Sequence, residues 1–164
     1  MIIIIMVISF ILDSMVSILV SPNGLFLPLF SIVSLAIIHP YFKGNNKLRF
    51  FEYSAVFGLF YDIVYTDTIF MNFFVFLIVA LVIHFISYLF SNNGYTNILL
   101  VVVAIIIYRF ISYILLVISQ LIDFSFMLLL ESIYSSLILN VIYGSLLYFF
   151  VSIYARKHKI IKIK

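Results

Sequence analysis

The chain has 164 residues, of which 66% are hydrophobic and 9% charged, with a formal net charge of +3 and a mean hydropathy of +1.34. Too little polar side chain remains to cover a water-soluble globule, so the composition implies an integral membrane protein. Cysteine is absent, which excludes disulfide frameworks, thiolate metal sites and cysteine nucleophiles. The basic excess sits in a loop and a tail beside hydrophobic stretches, the pattern that orients membrane proteins, and not one suited to nucleic acid.

A spanning helix needs about 20 apolar residues, and the hydrophobic stretches can be divided only where turn-forming or charged residues interrupt them. This predicts an all-α bundle of six transmembrane helices. The first span covers approximately 2–20; its opening, MIIIIMVISFILDSMV, lacks the basic region and cleavage site of a secretory leader and reads as a retained helix. Ser21, Pro22, Asn23 and Gly24 close it. The second span covers 25–42, and a basic loop with Lys43, Lys47 and Arg49 leads into the third, 48–65. Thr66, Asp67 and Thr68 form a tight reversal into the fourth, 69–90. The fifth covers 97–120 and the sixth 132–155, separated by Asp123 to Glu131; within this separator FSFMLLL, 124–130, is too short to cross and reads as an interfacial or re-entrant segment. A basic tail, 156–164, ends the chain.

Charge placement tests the count, because lysine and arginine collect on the cytoplasmic side. Of nine basic residues, all but Arg109 follow an even number of spans: Lys43, Lys47 and Arg49 in the loop, Arg156, Lys157, Lys159, Lys162 and Lys164 in the tail. Six spans therefore put both termini in the cytoplasm, with Asp67, Asp123 and Glu131 outside. A five-span chain would separate the two basic clusters.

Three ionisable residues lie well inside the predicted spans: Asp13, Asp62 and Arg109. A charge at a mid-membrane position costs about 2.5 to 3.5 kcal/mol on insertion scales, so such residues face a bundle interior, a cavity or a partner. Two readings are open. Arg109 pairs with one or both carboxylates in a structural clamp, or the set lines a proton or solute path. On the third span Ser54 and Gly58 have a small-xxx-small spacing, which suits close packing of helices within the chain or between chains. Asn140, Tyr143 and Gly144 give the sixth span a comparable face, with Asn140 as interhelical glue.

Other patterns have plainer explanations. His39 and His84 have no second histidine at i+3 or i+4, so they read as hydrogen-bonded or interfacial residues and not metal ligands. Tyr41, Tyr65 and Tyr154 stand near predicted span ends, where tyrosine suits the headgroup belt. Neither a G-x-S-x-G elbow nor a phosphate loop or dinucleotide fingerprint occurs, and Tyr61 with Asp62 supplies half of an intramembrane aspartyl protease pair without the other. The sequence therefore implies neither catalysis nor a cofactor.

The run VFGLFYDIVYTDTIFMNFFVF, 56–76, resembles the signature stretch of the rod shape-determining protein MreD family, in which a Gly-x-x-x-Asp motif, here Gly58 to Asp62, closes one span before a short turn. The first span with Asp13, the basic loop, LILNVIYGSLL (137–147) and the basic C-terminus are also similar to Gram-positive members. The chain departs from the family at Ile69, Phe70 and Met71, where a glycine is common. The resemblance implies a non-enzymatic scaffold subunit of the lateral cell-wall elongation machinery in the bacterial plasma membrane. Its implied partners are an MreC-like protein, actin-like MreB, RodA and a penicillin-binding synthase. The family is also distantly similar in fold to substrate-binding subunits of energy-coupling-factor vitamin transporters, which supplies an alternative function, capture of a small solute.

Overall fold

The computed structural model describes residues 2–20, 28–42, 47–66, 70–90 and 93–157, and all its regular structure is helical among these residues. Helix α1 is Ile2–Val20. Helix α2, Phe30–Ile38, tightens into a 3-10 turn at His39–Phe42, and α3, Lys47–Tyr61, widens into a π turn at Asp62–Thr66. Then follow α4 (Met71–Leu89), α5 (Gly94–Ile118) and α6 (Phe126–Lys157). Three segments, Met71–Leu89, Gly94–Ile118 and Phe126–Ala155, are long and apolar enough to cross a membrane; Ile2–Ile18 and Phe30–Phe42 are shorter apolar helices.

The distribution of side chains is that of a body solvated by hydrocarbon. Outward faces carry Ile4, Ile8, Ile11 and Met15 on α1, Phe74, Leu81 and Phe85 on α4, and Ile142, Leu146 and Phe149 on α6. The interior holds Ser9, Asp13, Ser34, Ser54, Asp62, Asn72, Ser136 and Asn140. Water would reverse this arrangement, since exposed apolar area on this scale collapses or aggregates in it.

Helix α2 is the axle of the bundle. All nine of its residues are buried, and it packs on α1, α4, α5 and α6, while its 3-10 turn touches α3 and α4. The remaining helices close around it: α3 on α4, α4 on α5 and α5 on α6. Side chains bridge the last two seams. Phe10 of α1 meets the rings of Phe57, Tyr61 and Tyr65, whose hydroxyl donates to the Phe10 carbonyl at 2.7 Å. Ser9 of α1 shares a 2.8 Å hydrogen bond with Tyr143 of α6.

Successive helices run up and down. Ile5 near the start of α1 lies beside Val151 and Tyr154 near the end of α6, and the Tyr41 hydroxyl at the end of α2 donates to the Val151 carbonyl at 3.2 Å. Phe42 and His39 stack on Phe50 in the first turns of α3, and Tyr148 stands against Gly94 at the start of α5. One end of the bundle thus gathers the starts of α1, α3 and α5 with the ends of α2 and α6. Lys47 and Arg49 share that end with Arg156 and Lys157, while Lys43, Lys159, Lys162 and Lys164 lie outside the described residues.

Two predicted boundaries need correction. Helix α2 begins at Phe30 instead of residue 25, because Pro28 lacks an N–H and the first free donors beyond it are taken by side chains of other helices; residues 25–27 lie outside the described set. Helix α6 begins at Phe126 instead of 132, so most of 124–130 is helical and continuous with the last helix, neither a re-entrant turn nor a separate piece. Ser125 sets this start. Its N–H donates to the Tyr113 hydroxyl at 2.6 Å, its carbonyl accepts from that hydroxyl at 2.8 Å, and Leu129 N–H returns to the same carbonyl at 3.3 Å. At 32 residues α6 is about 48 Å long by helical rise, well over a hydrocarbon core of about 30 Å. Its first turns carry exposed Phe126, Met127, Leu128 and Leu130 beside exposed Glu131.

Candidate functional site

The first polar centre lies at the N-terminus of α2. A helix start leaves its first backbone N–H groups without partners inside the helix, and in hydrocarbon no water can take them. Asp13 of α1 supplies two acceptors: one oxygen takes the Phe30 N–H at 2.5 Å, the other the Ser31 N–H at 2.9 Å and the Ser31 hydroxyl at 2.6 Å. Asn140 of α6 supplies the third, accepting from Leu29 N–H at 2.7 Å while its own amide donates to the Ser136 carbonyl at 2.6 Å. Gly144 lets α6 come close enough for this. A methyl added there would stand 3.1 Å from Val33 and 3.2 Å from Val101.

The second centre repeats the device between α3 and α4. Asp62 accepts the Asn72 N–H at 2.8 Å and the Asn72 side-chain amide at 3.1 Å on one oxygen, and the Phe73 N–H at 3.0 Å on the other. The Asn72 amide oxygen accepts from the Tyr108 hydroxyl of α5 at 3.0 Å, so three helices meet in one hydrogen-bonded chain. One turn before Asp62, Gly58 lies so close to α4 that an added Cβ would be 2.8 Å from both the Asn72 carbonyl oxygen and the Phe73 Cα. One further turn back, the Ser54 hydroxyl donates to the Phe76 carbonyl at 2.8 Å. Ser54, Gly58 and Asp62 thus form a single stripe along α3, each clasping α4 by a different means.

The turn into α4 carries strain at the place where the resemblance leads one to look for glycine. Phe70 has φ of 68°, the left-handed region that side chains other than glycine enter at a cost. The Asp62 clasp on the next residues holds it there.

Arg109 does not complete the predicted clamp. Its Nε donates to the Ser136 hydroxyl at 2.6 Å, and that hydroxyl donates in turn to the Ser132 carbonyl at 2.7 Å. Among the described residues no ion pair joins Arg109 to Asp13 or Asp62. The physical reason is competition. Two helix N-termini offer each carboxylate directed N–H donors and a partial positive charge, and these occupy the oxygens that the guanidinium would need.

A further contact escaped the sequence reading. His39 Nε2 lies 3.1 Å from His84 Nδ1, tying the 3-10 turn to α4, with Phe50 and Phe51 packed on the rings. The residues are 45 positions apart, so a search for local histidine spacing could not find them. Among the described residues no group of three or more His, Cys, Asp or Glu side chains could hold a metal ion.

Chemically, the two carboxylates accept from backbone N–H groups and from the Ser31 and Asn72 side chains, and the amides and hydroxyls join helix to helix. The arrangement is suited to holding six helices in register. Compared with family models, curated proteins and solved structures, the chain matches none.

Proposed function

We propose that the protein is a non-enzymatic scaffold subunit of a cell-wall elongation complex, of the kind its Gly58 to Asp62 segment resembles. In this reading it threads the bacterial plasma membrane six times with both termini in the cytoplasm. It presents its outer helix faces to an MreC-like protein and to the RodA and penicillin-binding synthase pair, and its basic end to the MreB filament.

One observation carries the reading. The segment on which the resemblance rests is a close joint between α3 and α4, where Gly58 admits the α4 backbone and Asp62 binds its first N–H groups. A motif used in this way builds a rigid hairpin, with both Asp62 oxygens accepting hydrogen bonds from α4. The gathering of Lys47, Arg49, Arg156 and Lys157 at one end of the bundle supports the proposed orientation.

Affinity purification of the tagged chain from native membranes tests the proposal. The expected result is recovery of an MreC-like protein and RodA with the native chain, and loss of both with Asp62→Leu. Recovery of a transporter ATPase, or of a small vitamin-like molecule bound to the purified protein, would replace the scaffold by the solute-capture alternative. Asp62→Asn and Asp62→Leu that both assemble and support rod shape normally would remove the clasp from the argument.

A further inference from the structure

The 3-10 turn His39–Phe42 carries the buried central helix to the basic end of the bundle, and its side chains tie it to three neighbours. Tyr41 donates to the Val151 carbonyl of α6 at 3.2 Å, and Phe42 packs on Phe50 and Tyr53 of α3 with ring centres 5.6 Å away. His39 meets α4 through the 3.1 Å contact between its Nε2 and Nδ1 of His84. Pro40 brings no N–H to the turn, which leaves more of its anchoring to these side chains.

Two imidazoles share such a contact in some protonation states and not in others. A neutral ring carries one N–H and one bare nitrogen, so one ring donates and the other accepts. One added proton leaves the bond in place, since an imidazolium donates to a neutral partner. A second puts an N–H on both facing nitrogens and sets two like charges at bonding distance.

The packed elements do little to offset those charges. The ring of Phe50 stands 4.8 Å from buried His39, and Phe51 stands 5.7 Å from half-buried His84. Helix α2 contributes no titratable side chain. On α3, Lys47, Arg49 and Glu52 are exposed and Tyr53 is stacked on Phe42; on α4, Tyr88 is exposed. On α6, Tyr148 stands against Gly94. Among the described residues Glu52 is the one carboxylate at this end, and it is turned outward.

We propose that His39 and His84 form a proton-released latch between the end of α2 and α4. The latch is closed near neutral pH and opens when the pair takes up its second proton, freeing the 3-10 turn and the first turns of α3. The pair titrates as a unit. The open state holds two protons where the closed state holds one, so acid favours opening, by up to about tenfold per pH unit below about pH 6.5, where imidazole ordinarily titrates. Such a latch operates whether or not the chain is a scaffold subunit.

Hydrogen exchange of the full chain in lipid nanodiscs, read by mass spectrometry from pH 7.5 to 5.5 and corrected for the intrinsic rate at each pH, tests the latch. In the native chain, peptides covering 39–42 and 47–53 should lose protection by about tenfold between pH 6.5 and 5.5. A peptide covering 100–106 in the middle of α5 should change by less than about twofold. His84→Asn places an amide where Nδ1 stood, and His39→Gln places one where Nε2 stood; each keeps a donor and an acceptor at the contact and removes one of the two charges. In both variants the protection of 39–42 should change by less than about twofold over the same range. Constant protection of 39–42 in the native chain, a native-like pH response in either variant, or an equal loss at 100–106 would each overturn the latch. The native profile alone is sufficient to do so if a variant does not fold.

Discussion

Asp62 and Asp13 are each committed to N–H groups at the start of another helix, and this fixes how they respond to substitution. Asp62→Leu orphans the Asn72 and Phe73 donors and is expected to destabilise by about 1 to 3 kcal/mol for each one left unpaired. Asp62→Asn keeps one acceptor and should cost less. Tyr108→Phe removes a single hydrogen bond and should cost about 1 kcal/mol. Thermal denaturation in detergent, followed by circular dichroism, would rank the three, and an equal Tm for Asp62→Leu and the native chain would contradict the clasp. At the opposite extreme, Gln120 has φ of 55° at the end of α5, where its N–H bonds the Val117 carbonyl and Leu121 N–H bonds that of Leu116. This is a glycine position occupied by glutamine, so Gln120→Gly is expected to stabilise by about 1 kcal/mol, seen as a raised Tm. The residues themselves were legible: a carboxylate in a hydrophobic run and a glycine one turn earlier identify themselves. Their partners were not, because the donors are backbone N–H groups that every residue but proline carries. Opposite charge pointed to Arg109 instead.

Helix boundaries followed the interruptions in hydrophobicity closely for α1, α3, α4 and α5, where polar or glycine-bearing segments mark the ends. They failed at α2 and α6, where the cause is tertiary. Nothing local says that Asp13 and Asn140 will take the first donors of α2, or that Tyr113 will anchor Ser125. Helix α2 also differs from its neighbours in kind. With its 3-10 turn it is about 20 Å long, shorter than the hydrocarbon layer of about 30 Å, and it has no face turned to lipid. Ala36 at its centre is fully buried, so Ala36→Leu is expected to overpack the interior and cost about 1 to 3 kcal/mol. Ile63→Ala, on an exposed site beyond α3, should change stability by less than about 0.5 kcal/mol. A comparison of the two Tm values checks the difference.

At the scale of the molecule, alternating helices put the start of α3, with Lys47 and Arg49, at the same end as the end of α6, with Arg156 and Lys157, and the chain's lack of cysteine makes the sidedness measurable. Lys47→Cys and Lys164→Cys should both react with a membrane-impermeant maleimide only from the cytoplasmic face, and Gln120→Cys only from the other. Labelling of residues 47 and 164 from opposite faces would end the six-span reading. The up-and-down order was readable from charge and length alone, whereas the central place of α2 was not, since its sequence is as apolar as helices that face lipid. That placement bears on biogenesis. Helix α2 precedes α5 and α6 in the chain, so its flanks and its leading amide stay uncovered until those helices are made. Nascent chains halted before Phe126 would lack Asn140 altogether, and membrane quality-control proteases would meet an unfinished wrapper around an uncovered core.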